Sequence, residues 1–255
     1  MSKSKIYRRE RTKWLIPLRR FENNINADLR ALFDGETDYI IGNYNNISDN
    51  GFSILRKLDL EANVREILER HVNKIIVFSA RTTQESIDKL VKKQDNFEYI
   101  EYINEYVASQ VFAQSIESIA TTYYDDISRI IASGVASELT RVEIAKTIAD
   151  KIPNITKYRS KTIAITETHR ASSYASERRA KDIQADSGLV MFKDWIPVSD
   201  GRTRQSHRAM ASVKPIPLND MFTVGGEKMS RPNDPNASAA NTIRCRCVMR
   251  YIVKE

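Results

Sequence analysis

Cysteine is scarce. The 255 residues hold two, Cys245 and Cys247, with one residue between them. That number excludes a disulfide framework, and a ring closed between the two would be too tight for an extended chain. Long apolar runs are missing as well. No stretch approaches the roughly 18–20 residues that a membrane span needs. The Lys- and Arg-rich start, Met1 to Arg11, is not followed by the apolar core of a signal peptide. No membrane partner is therefore expected, and the chain reads as made and used in a cytosol. Also lacking are a glycine-rich phosphate loop, a paired-carboxylate motif and a nucleophile elbow, each of which would point to a particular catalysis. There is no internal repeat and no low-complexity tract.

What is present is an ordinary globular balance, 41% hydrophobic and 29% charged residues, in a chain long enough for one large domain or two small ones. The formal net charge of +7 favours acidic partners, nucleic acid foremost.

The fold class expected is α+β: a long N-terminal helical region, 1–154, and a small mixed α/β C-terminal module, 155–255. From Asp59 to Lys93, Leu60, Val64, Ile67, Leu68, Val72, Ile75 and Ile76 recur at helical spacing. Thr82 or Thr83 would cap a continuation through Ile87, Leu90 and Val91. A second long helix is expected from near Phe97 to Ala136, its stripe running from Ile100, Ile103 and Val107 through Phe112, Ile116, Ile119 and Tyr123 to Ile127 and Ile130. Thr140 and Glu143 match a capping box. It opens a short helix that Pro153 should close, and a further helix from about Thr156 to Gln184 should stop near Gly188. That last helix is poor in apolar residues. Its small side chains permit close packing, and its polar ones call for something other than an apolar core. Leu189 to Val198 reads as a strand, and Gly and Pro residues break the following stretch into turns. Thr242 to Val253 alternates as a second strand, with Cys245, Cys247, Met249 and Tyr251 on one face.

Several marks follow one another in this C-terminal part. They are Thr166-Glu167 on the polar helix, Trp195, Asp200-Gly201-Arg202-Thr203-Arg204-Gln205-Ser206-His207, Phe222 in a hairpin, Pro232-Asn233-Asp234-Pro235, and Cys245-Arg246-Cys247. In this order they resemble the phage head morphogenesis, or Mu F-like, family of minor head proteins, over roughly residues 155–252. The chain is shorter than many members of that family. The resemblance implies a structural, non-enzymatic protein of the virion. It would associate with the portal protein during capsid assembly, in the host cytoplasm, and remain in the phage head near the portal in few copies.

The residues themselves admit several roles. Cys245, Cys247 and His207 would supply three zinc ligands, with His169 or Asp234 as a fourth; alternatively both cysteines are buried core residues. A structural network is expected from Glu167, Arg170, Trp195, Asp200, Arg204 and Asp234. In it Glu167 would pair with Arg170 or reach Arg202, Arg204 or Arg244; Thr203 would cap residues 204–210; Asp234 would bond backbone N–H groups in its loop; and Trp195 would anchor the core. Arg8, Arg9, Arg11, Lys13, Arg19 and Arg20 would contact double-stranded DNA phosphates or an acidic patch on a portal, capsid or scaffolding subunit. Arg159, Lys161, Arg170, Arg178, Arg179 and Lys181 would add a second positive surface. Two other classes stay open. One is an enzyme, a nuclease or transferase using Glu167, His169 and His207, which would need a cleft joining those side chains. The other is a zinc-stabilised nucleic-acid-binding protein.

Overall fold

The structure, a computed structural model, describes residues 3–46, 52–55, 57–87, 99–198 and 200–253. Its helices are α1 (Lys3–Tyr44), α2 (Lys57–Ile87), α3 (Ile100–Val107), α4 (Gln110–Ala136), α5 (Arg141–Ser187), α6 (Gln205–Ala209) and α7 (Ala239–Thr242). The strands are β1 (Met191–Ile196), β2 (Ile216–Pro217), β3 (Phe222–Val224), β4 (Glu227–Met229) and β5 (Val248–Val253). A long helical region followed by a small α/β module is thus the architecture. The chain divides into two compact units. The first comprises residues 1–22, 71–108 and 164–255, the second 23–70 and 109–163, so α1, α2 and α5 each contribute to both. Among the described residues no helix is long and apolar enough to cross a membrane.

The second unit is helical. Ile25, Leu29, Phe33 and Ile40 of α1, Leu60, Val64 and Leu68 of α2, Phe112, Ile116, Tyr123 and Ile127 of α4, and Ile144, Ile148 and Ile152 of α5 are all buried. Phe33 stacks on Tyr123 at a centroid distance of 5.0 Å, and Tyr123 Oη meets Thr37 Oγ1 at 2.9 Å. The α4–α5 corner is built by local rules. Glu138 takes a left-handed φ of 56°, and Leu139 N–H returns to Gly134 O at 2.9 Å while Glu138 N–H returns to Val135 O at 3.0 Å. Both bonds satisfy carbonyls that a helix end leaves open. Thr140 and Glu143 then form the capping box that their spacing predicts: Thr140 N–H donates to Glu143 Oε2 at 2.8 Å, and Glu143 N–H to Thr140 Oγ1 at 3.3 Å. Glycine at 134 lets the two helices close up. A Cβ there would lie 2.5 Å from Ile144 Cγ1.

In the first unit β1 is central in a three-stranded antiparallel sheet of order β2-β1-β5, with Trp195 opposite Met249 and Asp194 opposite Arg250. β3 and β4 form a hairpin closed by Gly225 and Gly226, with φ of 58° and 86°. Positive φ at both turn positions matches the twist of the flanking strands. The core gathers Trp195, Met210, Leu218, Phe222, Val224, Met229, Cys245, Cys247, Met249 and Tyr251 around the end of α5, where Ala180 and Ile183 enter it.

Several local expectations are corrected. Pro153 does not end a helix. One helix runs from Arg141 to Ser187, because Ile148, Ile152 and Thr156 are buried in register and packing outweighs the local cost of about 3 kcal/mol. The second long helix is two, α3 and α4. Ser109 sits in extended conformation between them and accepts the Phe112 N–H, and α3 buries Tyr102 and Tyr106 while Ile100 is exposed. Thr82 and Thr83 cap nothing; they are buried inside α2. The last strand begins at Val248, not Thr242, since α7 occupies 239–242 and Arg244 takes a left-handed φ of 57°. Leu90, Val91, Lys93 and Phe97 lie outside the described residues. The helical region expected over 1–154 begins with α1, whose Tyr7, Trp14, Leu18, Ile25, Leu29, Phe33, Ile40 and Tyr44 are spaced by four or seven residues and are all buried.

Two substitutions test the α4–α5 corner by urea-induced unfolding. Gly134→Ala should lower stability by about 1 kcal/mol, the midpoint of what remains when a helix-propensity gain of about 1 kcal/mol is set against an overpacking cost of roughly 1–3 kcal/mol. Glu138→Gly should raise it by about 0.5 kcal/mol, since relief of the left-handed strain exceeds the added chain entropy.

Candidate functional site

From Ala164 to Ile183, α5 is buried on nearly every side, yet few of its side chains are apolar. Thr166, Glu167, Thr168, His169, Ser172, Ser173, Ser176, Glu177 and Arg179 are all in the interior. Burying such groups is costly unless each finds a partner, and the neighbouring elements supply partners around the helix. His169 Nε2 meets Glu22 of α1 at 2.8 Å. Ser172 Oγ accepts from Ser79 of α2 at 2.8 Å, and Arg179 Nε donates to Gln84 of α2 at 2.5 Å. Tyr174 packs on Tyr106 of α3. Thr166 Oγ1 accepts the backbone N–H of Arg244 at 3.1 Å.

A buried charge cluster lies where α5 meets the sheet. Glu177 accepts from Arg231 at 2.7 Å, and it lies 3.7 Å from the ammonium of Lys193 on β1 and 3.5 Å from that of Lys181. Lys193 is 1% exposed and also donates to Ser230 O at 2.7 Å. Burial lowers the pKa of its ammonium, and Glu177 opposes that shift. On β1, buried Asp194 accepts from Arg250 at 2.9 Å and from the Tyr7 hydroxyl at 3.2 Å.

The loops that follow are held by their own polar side chains. Asp200 accepts from Arg202 N–H at 3.1 Å and from the Arg246 guanidinium at 2.5 Å. Burial raises the Asp200 carboxyl, but the bond and charge of Arg246, with Thr203 and the Arg202 N–H, outweigh it and hold the group at about 2. Thr203 caps no helix; its hydroxyl bonds Asp200 and Val198 O. Arg204 donates to Ile243 O at 2.6 Å. Asp234 accepts from Ser230 N–H at 2.7 Å and Asn236 N–H at 3.0 Å, which pins the loop in which Asn233 adopts a φ of 58°.

These loops bring His207, on α6, against Cys245 and Cys247, on the segment between α7 and β5. His207 Nδ1 lies 3.5 Å from Cys245 Sγ and 3.6 Å from Cys247 Sγ, and all three side chains are buried. A hydrogen bond between the sulfurs splits their acidities. It raises Cys245 well above the usual thiol range, with burial adding to the rise. It lowers Cys247 well below that range, against burial and with help from His207 and Trp195. Among the described residues this is the one group of three or more potential metal-ligating His, Cys, Asp or Glu side chains. Trp195 packs edge-on to His207, with ring centroids 5.7 Å apart, and to Phe222 at 5.5 Å.

Glu167 pairs with Arg170 at 2.8 Å, one of the pairings its position allowed; Arg244 instead reaches α5 through Thr166. His169 and Asp234 are not among the ligand atoms around His207, each having the other partners just described. Glu167, His169 and His207, the side chains an enzyme reading would use, engage Arg170, Glu22 and the cysteine pair respectively. None of the three lines the groove of about 550 Å³ formed by residues including Asn73, Val77, Phe78, Arg81 and Ile103. His169 faces only a cavity of about 10 Å³, the room of a single water, which it shares with Trp14 and Cys247. Arg8, Arg9, Arg19 and Arg20 are exposed on α1, whereas Lys13 donates to Thr82 O at 3.0 Å and Arg11 to Tyr7 O at 3.2 Å. Of the six basic residues expected to form a second positive surface on α5, Lys161 and Lys181 are exposed, whereas Arg159, Arg170, Arg178 and Arg179 engage Asp126, Glu167, Asp182 and Gln84. Glu177, Lys193 and Arg231 were not singled out in the sequence. The signal available was a Glu on a helix too polar to be buried without partners.

Glu177→Ala should cost about 3–5 kcal/mol in denaturant unfolding, because it leaves Lys193 and Arg231 buried without their carboxylate. Lys193→Met added to it should recover part of that loss, so that the two changes are not additive. Asp200 gives a pH signature. Its carboxyl is depressed in the folded chain, so its contribution is complete above about pH 4, the unfolded value, and is lost as pH falls through about 2. Asp200→Asn should therefore show a shallower stability decline across that acid window than the parent.

A family model described as Phage Mu protein F like protein matches residues 125–250, a span that takes in all of α5, the sheet up to the middle of β5 and the His207–Cys245–Cys247 cluster. Comparison with curated proteins and with solved structures returns no match. Over residues 125–250 the chain is thus similar to the phage Mu protein F-like family, and α5 and the sheet lie in the part that matches that family's model, apart from the last residues of β5.

Proposed function

We propose that this protein, similar to a family that implies phage head morphogenesis, acts at the portal vertex during capsid assembly and stays in the head. The observation that carries this reading is the use of its chemistry-bearing side chains. Glu167, His169, Glu177, Asp194 and Asp200 are committed to ion pairs and hydrogen bonds within the fold, as a scaffold requires. Two surfaces support association with other virion components. Val135, Leu139 and Val142 are exposed together around the α4–α5 corner, which suits a protein partner such as a portal or coat subunit. Arg8, Arg9, Arg19 and Arg20 face solvent on α1, and guanidinium groups so placed suit DNA phosphates.

Co-expression with the cognate portal protein, followed by affinity capture of either, tests the reading. The expected result is a stable complex that Val142→Asp weakens, together with a few copies of this chain in mature heads. A chain that never co-purifies with portal or coat protein and is absent from purified heads overturns it. For DNA binding, Arg8, Arg9, Arg19 and Arg20 changed together to Ala should reduce the slope of log affinity against log salt by about 0.9 for each phosphate that is no longer neutralised. An unchanged slope refutes binding of phosphates by these four side chains.

A further inference from the structure

We infer that His207, Cys245 and Cys247 bind one zinc ion, as a buried structural site that ties α6 to the segment leading into β5.

The orientation of His207 is decided by its neighbours. Asn241 Nδ2 donates to Val224 O at 3.2 Å, and a carbonyl can only accept, so the amide oxygen is the atom that faces His207 Nε2 at 3.3 Å. Nε2 therefore carries the proton in the neutral ring, and Nδ1 presents a lone pair. Holding the far ring nitrogen with a carbonyl-type oxygen is how metal-ligating histidines are usually oriented. The hairpin serves that purpose. Gly225, with its left-handed φ, lies so near Asn241 that a Cβ would stand 3.1 Å from the amide oxygen.

The Nδ1 lone pair is aimed at two sulfurs at once, 3.5 and 3.6 Å away. One lone pair accepts one good S–H hydrogen bond, so near-equal distances to two sulfurs are better explained by a cation between the three atoms. Zinc bonds of about 2.3 Å to sulfur and about 2.0–2.1 Å to nitrogen, at tetrahedral angles, place N and S about 3.6 Å apart. Charge agrees with burial. Two thiolates, a neutral imidazole and Zn²⁺ sum to zero, so the complex avoids the cost of a net charge in the core. Thiolate donors select zinc over the hard cations magnesium and calcium.

Tetrahedral zinc takes one further donor. Asn233, fully buried, donates from Nδ2 to Cys245 O at 3.3 Å, while its Oδ1 is a buried oxygen with no hydrogen-bond partner. That oxygen, or a water, would complete the set. Trp195 and Phe222 surround the site with aromatic rings.

The test is metal analysis of the untagged full-length chain purified from zinc-supplemented cells. About one zinc per chain is expected, with X-ray absorption showing two sulfur neighbours near 2.3 Å and N or O neighbours near 2.0–2.1 Å. The paired change His207→Gln and Cys247→Ser should lose the metal in whatever fraction remains folded by circular dichroism. Should that variant not fold, cobalt(II) added to the metal-stripped parent chain keeps the test decisive, because thiolate charge-transfer and tetrahedral ligand-field bands are expected there. No bound zinc together with no cobalt–thiolate bands overturns the inference. So does zinc retained in full by a folded double variant, which would place the metal elsewhere.

Discussion

A polar helix stands in the interior of this protein, and the arrangement of everything around it follows from that. Residues 164–183 of α5 have too few apolar side chains to be held by hydrophobic burial alone. They are nevertheless enclosed. Burying so many hydroxyls, imidazoles and charges is costly unless most are met by other polar groups, and neighbouring elements supply many of them. Glu22, Ser79, Gln84, Arg231 and the Arg244 backbone do so from four elements of the chain, and Tyr106 adds a ring contact with Tyr174. Buried ion pairs add little net stability compared with apolar packing, yet breaking one strands its partner. The consequence is specificity of assembly, since α1, α2, α3 and the β module can each dock on α5 in few registers.

The β module repeats this logic at smaller scale. Its strands are short, and much of its chain is loop. Asp200 organises the turn before α6, Asp234 organises the loop after β4, and Asn241 joins the β3–β4 hairpin to His207. Left-handed residues at 225, 233 and 244 set the directions of these loops. Their joint product is the convergence of His207 with the two cysteines in the core. The cluster packs against Trp195, which in turn packs on Phe222, and its residues do not line the groove at Val77 and Phe78.

Much of this was legible in the sequence where one local rule acts alone. The Thr140–Glu143 box, the stop at Gly188 and the apolar stripe of α2 each depend on spacing; Cys245, Cys247, Met249 and Tyr251 are all buried as expected, but the strand holds only the last two. The expectation that the α5 segment needs a partner other than an apolar core also came from composition. What spacing could not show is which partner. Pro153 and Pro17 lie within helices because packing distant in sequence overrides a local penalty. Arg244 leaves the strand pattern because its N–H is claimed by Thr166, 78 residues earlier. Local spacing offered Glu177 only Lys181, four residues on; Lys193 and Arg231, 16 and 54 residues away, are brought to it by the fold. In the sequence only chemistry links His207 to the cysteines, and the fold brings their ligand atoms within 4.8 Å of one another.

Native-state hydrogen exchange, read by mass spectrometry across a series of denaturant concentrations below the unfolding transition, tests most directly whether polar helix and β module are one cooperative structure. If each buried charge on α5 depends on its partner in the module, amides of residues 164–183 and of β1 and β5 should open together, with one free energy and one denaturant dependence. Exchange of β1 and β5 through a separate, lower-energy opening that leaves 164–183 protected would contradict that dependence.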